Sequence, residues 1–332
     1  MLSPEFERAL EVIQGPGSEL PFSPLYSLSN LVKEERDRFE EIWLRLEVKR
    51  KRRVLRALIE IAEASFLVDF GALFRPRLSD EDAGVRTLAI EGLWEDGDWG
   101  LASVLIQLLQ EDPAAEVRAA AATALGKFVL QGELRDRAQE QAARVCEVLF
   151  EALDPSREPL EVRQRALESL AYVSDDRVPD LIQAAYDHEE AKMRASALFA
   201  MGRSADTRWA PIVLEELRSS DPKMRYEAAR ACGELQLAQA VPRLRELARD
   251  RDREVQETAI WALGQIGGPE ARRILEARHE QGDEFICKAM EEALANVSLL
   301  DQSFSLAYHE LLDEELQGLE DLEESCFYRR EK

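Results

Sequence analysis

The chain has 332 residues, of which 45% are hydrophobic but only 7% are aromatic, a composition typical of a long protein rich in alanine and leucine helices. Its formal net charge of −23 argues against nucleic acid as the main ligand, because phosphate binding depends on lysine and arginine displacing counterions. The acidic N-terminus, the lack of any Cys-x-x-Cys pair and the lack of an apolar run near ~18 residues predict a cytoplasmic protein without an export signal or membrane span.

The first predicted element is a short amphipathic helix. It begins after Ser3-Pro4, a common helix start, and ends at Gly15-Pro16-Gly17. The run from Gly15 to Asn30 is rich in Gly, Pro and Ser and is predicted to be a linker. Residues 1–30 are therefore interpreted as a short helix and linker. The apolar face of the helix consists of Phe6, Ala9, Leu10 and Ile13.

Residues 31–65 are predicted to form a helical hairpin that caps the elements after it. The start of its second helix carries the only strong basic cluster in the chain. One interpretation is a solvated helix start, which the overall charge favours. The other is a surface that docks RNA, an anionic surface or the acidic tail of the same chain. The cluster consists of Lys49, Arg50, Lys51, Arg52, Arg53 and Arg56.

Residues 66–298 contain a repeat. A Val-Arg or Met-Arg step recurs at spacings of 32, 45, 31 and 31 residues, and its register continues for two more steps of 31. A fixed period of this length is typical of a solenoid, in which each unit buries its apolar face only by stacking on its neighbours. The register residues, called position 0 of each repeat, are Arg86, Arg118, Arg163, Arg194, Arg225, Gln256 and Cys287.

Each repeat is predicted to be a helical hairpin whose second helix carries the register residue. Position 6 holds small residues, position 7 apolar residues and position 8 mostly glycine. Because glycine in a helix costs about 1 kcal/mol relative to alanine, its recurrence at position 8 predicts either a close helix approach or a C-cap. The preceding helices are predicted at Leu101–Gln110, Pro179–Tyr186, Pro211–Leu217, Pro242–Ala248 and Pro269–Ala277.

The stretch from Val104 to Phe128 resembles a HEAT repeat of the short bacterial, phycobilin-lyase-like type, with its Asp-Pro, Val-Arg and Ala-Leu-Gly elements in that order. The resemblance implies an all-α fold: a right-handed α-solenoid of about seven HEAT-like helical hairpins with an N-terminal helical cap and an acidic C-terminal segment. It also implies that the register arginines are structural and join neighbouring repeats.

One interval of the repeat is longer than the others. Between Gly126 and Asp154 it contains about fourteen additional residues. Apolar residues at helical spacing from Arg135 to Leu153 predict that the first helix of that repeat is lengthened. The addition is either part of a binding face or a tolerated loop and longer helix.

The second helices carry large side chains where a solvated face should be polar. With positions 3, 4, 6 and 7 facing the core, positions 1, 2, 5 and 9 point away from it. The resemblance implies that second helices line the concave face of the array, which would gather these residues into one partner-binding groove. Aromatic and arginine side chains are the types that most often anchor interfaces. The groove residues are Tyr172, Phe199, Arg203, Tyr226, Arg230 and Trp261.

Residues 299–332 are predicted to form an acidic amphipathic tail. Leu312, Leu316 and Leu319 share one helical stripe, and residues 301–325 contain no Lys or Arg. The tail therefore offers the groove both an apolar edge and negative charge, so it is an alternative occupant and a candidate gate.

Few residues are arranged for catalysis. The His-Glu pairs at His188, His279 and His309 resemble those of HEAT-repeat deoxyhypusine hydroxylases, but they do not occupy equivalent repeat positions. Imidazole ligands must converge to bind a metal, so no metal or other cofactor is expected. The resemblance also allows the function of a HEAT-like DNA glycosylase, but binding of DNA conflicts with the net negative charge of the chain.

The sequence favours a non-catalytic interaction scaffold that binds a protein or peptide of basic or mixed charge in the groove, gated by the tail. The alternative, which follows from the resemblance alone, is a tetrapyrrole (phycobilin) lyase or chromophore chaperone.

Overall fold

The structure is a computed structural model that describes residues 2–15, 17, 20–134, 138–279 and 286–299. These residues form helices and connecting turns without any β-strand, so the all-α prediction is confirmed for them. Contacts divide the chain into two compact units, Met1–Ser196 and Ala197–Lys332. The domain boundaries at residues 30, 65 and 298 stay predictions.

The N-terminal part of the first unit forms a compact cap. Its helices are α1 (Pro4–Gln14), α2 (Phe22–Leu25), α3 (Lys33–Trp43) and α4 (Val48–Ala64), with a 3₁₀ turn at Tyr26–Leu28. The Oγ of Ser3 caps α1 by accepting a hydrogen bond from the Phe6 amide at 3.1 Å. Leu25 and Leu28 are fully buried. Residues 22–28, predicted as linker, are therefore part of the core, because leucines three apart on a helical turn face the same way.

The rest of the first unit contains the first helical hairpins. Their helices are α5 (Gly71–Phe74), α6 (Ala83–Gly92), α7 (Trp99–Glu111), α8 (Ala115–Leu134), α9 (Gln139–Glu151), α10 (Leu160–Leu170) and α11 (Arg177–Tyr186). A 3₁₀ turn at Arg75–Ser79 separates α5 from α6. The division between the units falls within α12 (Ala191–Arg203).

The additional residues of the long interval lengthen mainly the helix before the one predicted. α9 has 13 residues, as many as α7 and more than the 10 of α11 or the 7 of α13 and α15, so the predicted longer first helix holds relative to the later repeats. The larger extension is in α8, which has 20 residues. Phe128 and Val129 are buried beyond position 8, and a Cβ at Gly132 would collide with Ala142 of α9. Continued burial and close packing against α9 thus favour extension of the second helix.

The second unit continues the same pattern. Its helices are α13 (Ala210–Glu216), α14 (Pro222–Glu234), α15 (Val241–Leu247), α16 (Arg253–Ile266), α17 (Gly268–His279) and α18 (286–299). The predicted first helices of these repeats are confirmed within a residue or two at each end. Positions 3, 4, 6 and 7 of α14 and α16 are fully buried, so the predicted core face is confirmed. At position 7, burial raises the pKa of the Cys232 thiol to about 12, in keeping with a core residue.

The register arginines join the repeats through their guanidinium groups. Arg86 makes a bidentate ion pair with Asp112 in the next hairpin, with both N–O distances 2.7 Å. Arg225 pairs with Asp250 in the same way, at 2.9 Å. In each of four repeats, the Nη1 of the arginine also donates to the carbonyl oxygen six residues earlier. These arginines are Arg86, Arg118, Arg194 and Arg225.

Glycine at position 8 lets neighbouring second helices approach closely. A Cβ at Gly264 would lie 2.8 Å from the Cβ of Ala293 and 2.9 Å from its Cα. Gly233 is similarly close to Ala262. In each pair the partner is the small residue at position 6 of the next repeat. Of the two explanations that the sequence left open, close approach therefore applies at these positions.

Candidate functional site

The second helices of the second unit border an open cavity of about 580 Å³. The second helices of three successive repeats, α14, α16 and α18, contribute most of its walls, and Arg203 of α12 contributes one further side chain. The α14–α18 cavity, as it is called below, is lined by Arg203, Tyr226, Arg230, Glu234, Glu257, Thr258, Trp261, Gln265, Ala289, Glu292, Ala293 and Asn296.

Glu234 is the centre of an ion-pair cluster in one wall. Its Oε1 lies 3.1 Å from Arg203 Nε and 3.1 Å from Arg230 Nη1. Burial raises the pKa of Glu234, and the two guanidinium groups act in the opposite direction. Arg230 also pairs with Glu227, one turn earlier on α14, at 3.1 Å. The cluster of two arginines and two glutamates therefore balances its own charge.

Arg230 also stacks on an aromatic ring. Its Cζ lies 3.8 Å from the ring centroid of Phe199, whereas the Cζ of Arg203 lies 5.6 Å away. Both distances fall within the range of a cation–π contact. Phe199 is therefore covered in part by side chains of its own unit.

Trp261 is the large aromatic residue that the cavity leaves most accessible, with 39% of its surface exposed. One edge of its indole lies against Gly233, where a Cβ would be 2.7 Å from Cζ3. Glu257 stands one helical turn before Trp261 and forms an exposed ion pair with Arg253 at 3.0 Å. On α18, the second helix of the next repeat, Glu292 is exposed, and within the described ranges it has no ion-pair partner.

The structure brings five of the six predicted groove residues into one unit. Arg203, Tyr226, Arg230 and Trp261 line the cavity, and Phe199 lies beneath Arg230. Tyr172 belongs to the first unit, where it is half-buried just after the end of α10. A continuous groove that includes Tyr172 stays a prediction.

Sequence reasoning missed the acidic and amide side chains of the cavity. Glu234, Gln265 and Asn296 occupy position 9, and Glu292 occupies position 5, both of which were predicted to face away from the core. Their register positions are the signal that identifies them. Together with Glu257 at position 1, they give the lining three carboxylates against two guanidinium groups, so the charge of the site changes from basic to acidic.

The basic cluster of α4 is largely used within its own unit. Arg50 donates to the carbonyl oxygens of Ile13 at 2.8 Å and Gly17 at 2.6 Å, and so ties α1 to α4. Lys51 pairs with Asp80 at 3.0 Å. Arg52 makes a bidentate pair with Asp82, with both distances 2.7 Å. The interpretation of a fully solvated helix start is wrong for these three residues, because their partners lie on other elements. The remaining members, Lys49, Arg53 and Arg56, are exposed.

The structure describes the predicted tail and histidines only in part. The acidic tail and His309 lie outside the described residues. His188 accepts a hydrogen bond through Nδ1 from the Glu190 amide at 3.0 Å, near the start of α12. In the described part of the chain, no group of three or more His, Cys, Asp or Glu residues is arranged to hold a metal ion. No helix there is long and apolar enough to cross a membrane.

Stacked helical hairpins, paired arginines and a column of small residues define an α-helical repeat protein. A family model for HEAT repeats matches residues 72–157 and 210–295, just over half of the chain. The chain therefore belongs to the HEAT-repeat family. Comparison with curated proteins found no match.

Several solved helical-repeat structures are similar to the chain. The Escherichia coli protein YibA is 15% identical, with 86% of this chain and 99% of that chain covered and a TM-score of 0.46. The complex of CpcE and CpcF of phycocyanin lyase from Nostoc is 19% identical, with 68% and 94% covered and a TM-score of 0.45. Human deoxyhypusine hydroxylase is 19% identical, with 80% and 96% covered and a TM-score of 0.36. Likenesses of this size transfer neither activity nor ligand to this chain.

Proposed function

We propose that this protein is a non-catalytic interaction scaffold and that the α14–α18 cavity binds a segment of a protein or peptide partner. The observation that carries the proposal is the exposed indole of Trp261 in the wall of a 580 Å³ cavity. An accessible tryptophan in a concave site is a common interface anchor, because one side chain offers a large apolar contact and a hydrogen-bond donor.

The other cavity residues suit binding of an extended segment. Tyr226, Arg230 and Glu234 form a stripe at four-residue intervals along α14, and Trp261 and Gln265 continue the surface on α16. Hydroxyl, amide and carboxylate groups therefore surround an aromatic centre, as at the polar rim of a protein interface.

A selection from a displayed library of random 12-residue peptides tests the proposal with the full chain as bait. Selected peptides are then synthesised with a fluorophore, and their affinity is measured by anisotropy. Trp261→Ala is expected to weaken binding at least tenfold, because removal of an interface anchor costs about 2 kcal/mol or more. Trp94→Ala is the matched control, since Trp94 is also exposed, at 46%, but lies in the first unit.

Equal affinity of the selected peptides for the wild type and Trp261→Ala would contradict the proposal. A selection that yields no peptide dependent on the cavity would do the same.

Titration with a bilin provides the comparison with the lyase alternative. A shifted visible absorption band that disappears in Trp261→Ala would favour a tetrapyrrole-binding function for this cavity.

A further inference from the structure

Position 5 of the second helices forms a row across the second unit. Its members are Phe199 on α12, Arg230 on α14, Trp261 on α16 and Glu292 on α18. The first two already interact, because the guanidinium of Arg230 lies 3.8 Å from the centroid of the Phe199 ring. The same guanidinium is neutralised by Glu227 and Glu234. This half of the row therefore combines a ring, a guanidinium and carboxylates.

The other half of the row has the ring and the carboxylates without the guanidinium. Trp261 is partly exposed, Glu257 lies one turn before it and Glu292 occupies its equivalent position on α18. The close approach of Gly264 and Ala293 holds these two helices together. Among the described residues, no lysine or arginine lies over the Trp261 ring.

The charges of the α14–α18 cavity lead to the same conclusion. Arg203 and Arg230 are matched by Glu234 and Glu227, so these four groups contribute no net charge. Glu257 pairs with Arg253 at an exposed site, where an ion pair between neighbouring turns is weak. Glu292 has no ion-pair partner in the described part of the unit. Of the charged residues that line the cavity, two are arginines and three are glutamates, so the lining carries a net negative charge.

We propose that Trp261, Glu257 and Glu292 form a subsite for an arginine side chain of the partner. A planar guanidinium stacks on the indole face while its N–H groups donate to the flanking carboxylates. Lysine meets the charge requirement but lacks the flat surface and the fork of donors, so arginine binds more tightly. The inference rests on the proposed function and specifies the chemistry of the partner.

Fluorine NMR of the full chain labelled with 5-fluorotryptophan tests this subsite. Trp→Phe variants assign the resonances of the five tryptophans. The probe is a capped pentapeptide with a central arginine between serine and glycine residues. Matched peptides carry citrulline, which has nearly the same shape without the charge, or lysine. The arginine peptide is expected to shift the Trp261 resonance saturably while that of Trp94 stays unchanged. Binding is expected to be about tenfold weaker with citrulline.

Charge variants complete the experiment. Glu292→Gln is expected to weaken binding of the arginine peptide about threefold to tenfold. Glu276→Gln, which removes the same charge from an exposed position on α17, is expected to leave binding unchanged.

Equal shifts at Trp94 and Trp261, equal affinity for citrulline or indifference to Glu292→Gln would each overturn the subsite. Selected 12-residue peptides that depend on Trp261 but contain no essential arginine would overturn it and leave the proposed function standing.

Discussion

Replacement of Gly264 by alanine places a methyl group between α16 and α18. The new Cβ would lie 2.8 Å from the Cβ of Ala293, 2.9 Å from its Cα and 3.2 Å from its carbonyl oxygen. Because two of these atoms belong to the backbone, no side-chain rotation relieves the contact. Overpacking of this kind costs about 1–3 kcal/mol, whereas alanine gains about 1 kcal/mol over glycine in a helix. We expect a net loss of up to about 2 kcal/mol in the free energy of unfolding, and no gain.

Urea denaturation followed by circular dichroism measures this loss, and hydrogen exchange of α16 and α18 shows whether it is local. Gln265→Ala is the control, because it alters the neighbouring residue on the cavity side and is expected to change stability by no more than about 0.5 kcal/mol. Helix propensity alone predicts that Gly264→Ala stabilises the protein. A gain of about 1 kcal/mol would therefore refute the close-approach explanation.

Three further predictions concern the core, the register arginines and one lysine. Ala228→Leu adds volume at a fully buried position and should lower the free energy of unfolding by about 1–3 kcal/mol in urea denaturation. The exposed Lys223→Gln should change it little in the same experiment. Arg86→Ala leaves the buried Asp112 without its partner and should cost about 3–5 kcal/mol; a loss below about 1 kcal/mol in urea denaturation would show that the pair is not a structural anchor. Burial lowers the pKa of Lys127 to about 8, so most of its amine is uncharged at pH 9, and its rate of acetylation by a limiting reagent, followed by mass spectrometry, should level off there while the rate at exposed lysines still rises about tenfold per pH unit.

The order of the hairpins and the core face of the second helices could be predicted from the sequence because the repeat period determines both. A period of 31 residues places successive helices in the same register, so Ala228 and Ala259 are buried for the same reason. Local composition was a poorer guide. Proline and serine around residues 22–28 favoured a linker, although Leu25 and Leu28 supply enough apolar surface to pack on the cap.

The cavity could be predicted only in part, because its chemistry depends on pairs between helices. The register identified Arg203 and Arg230 as outward-facing residues, but their common partner, Glu234, is defined by packing in three dimensions. Once that partner is known, the two arginines no longer offer positive charge to an acidic tail. Docking of residues 299–332 in the cavity therefore rests on the leucine stripe of the tail and stays a prediction.

During protein synthesis the partners of the register ion pairs become available in chain order. Arg86 pairs with Asp112, which follows 26 residues later, Arg118 with Glu158 after 40 residues, and Arg225 with Asp250 after 25. A nascent repeat therefore leaves the ribosome with its arginine unpaired and gains its partner only when the next hairpin emerges. Each new repeat completes the electrostatic anchoring of the one before it. A ribosome that stalls between two repeats would expose an incompletely anchored hairpin to chaperones and proteases.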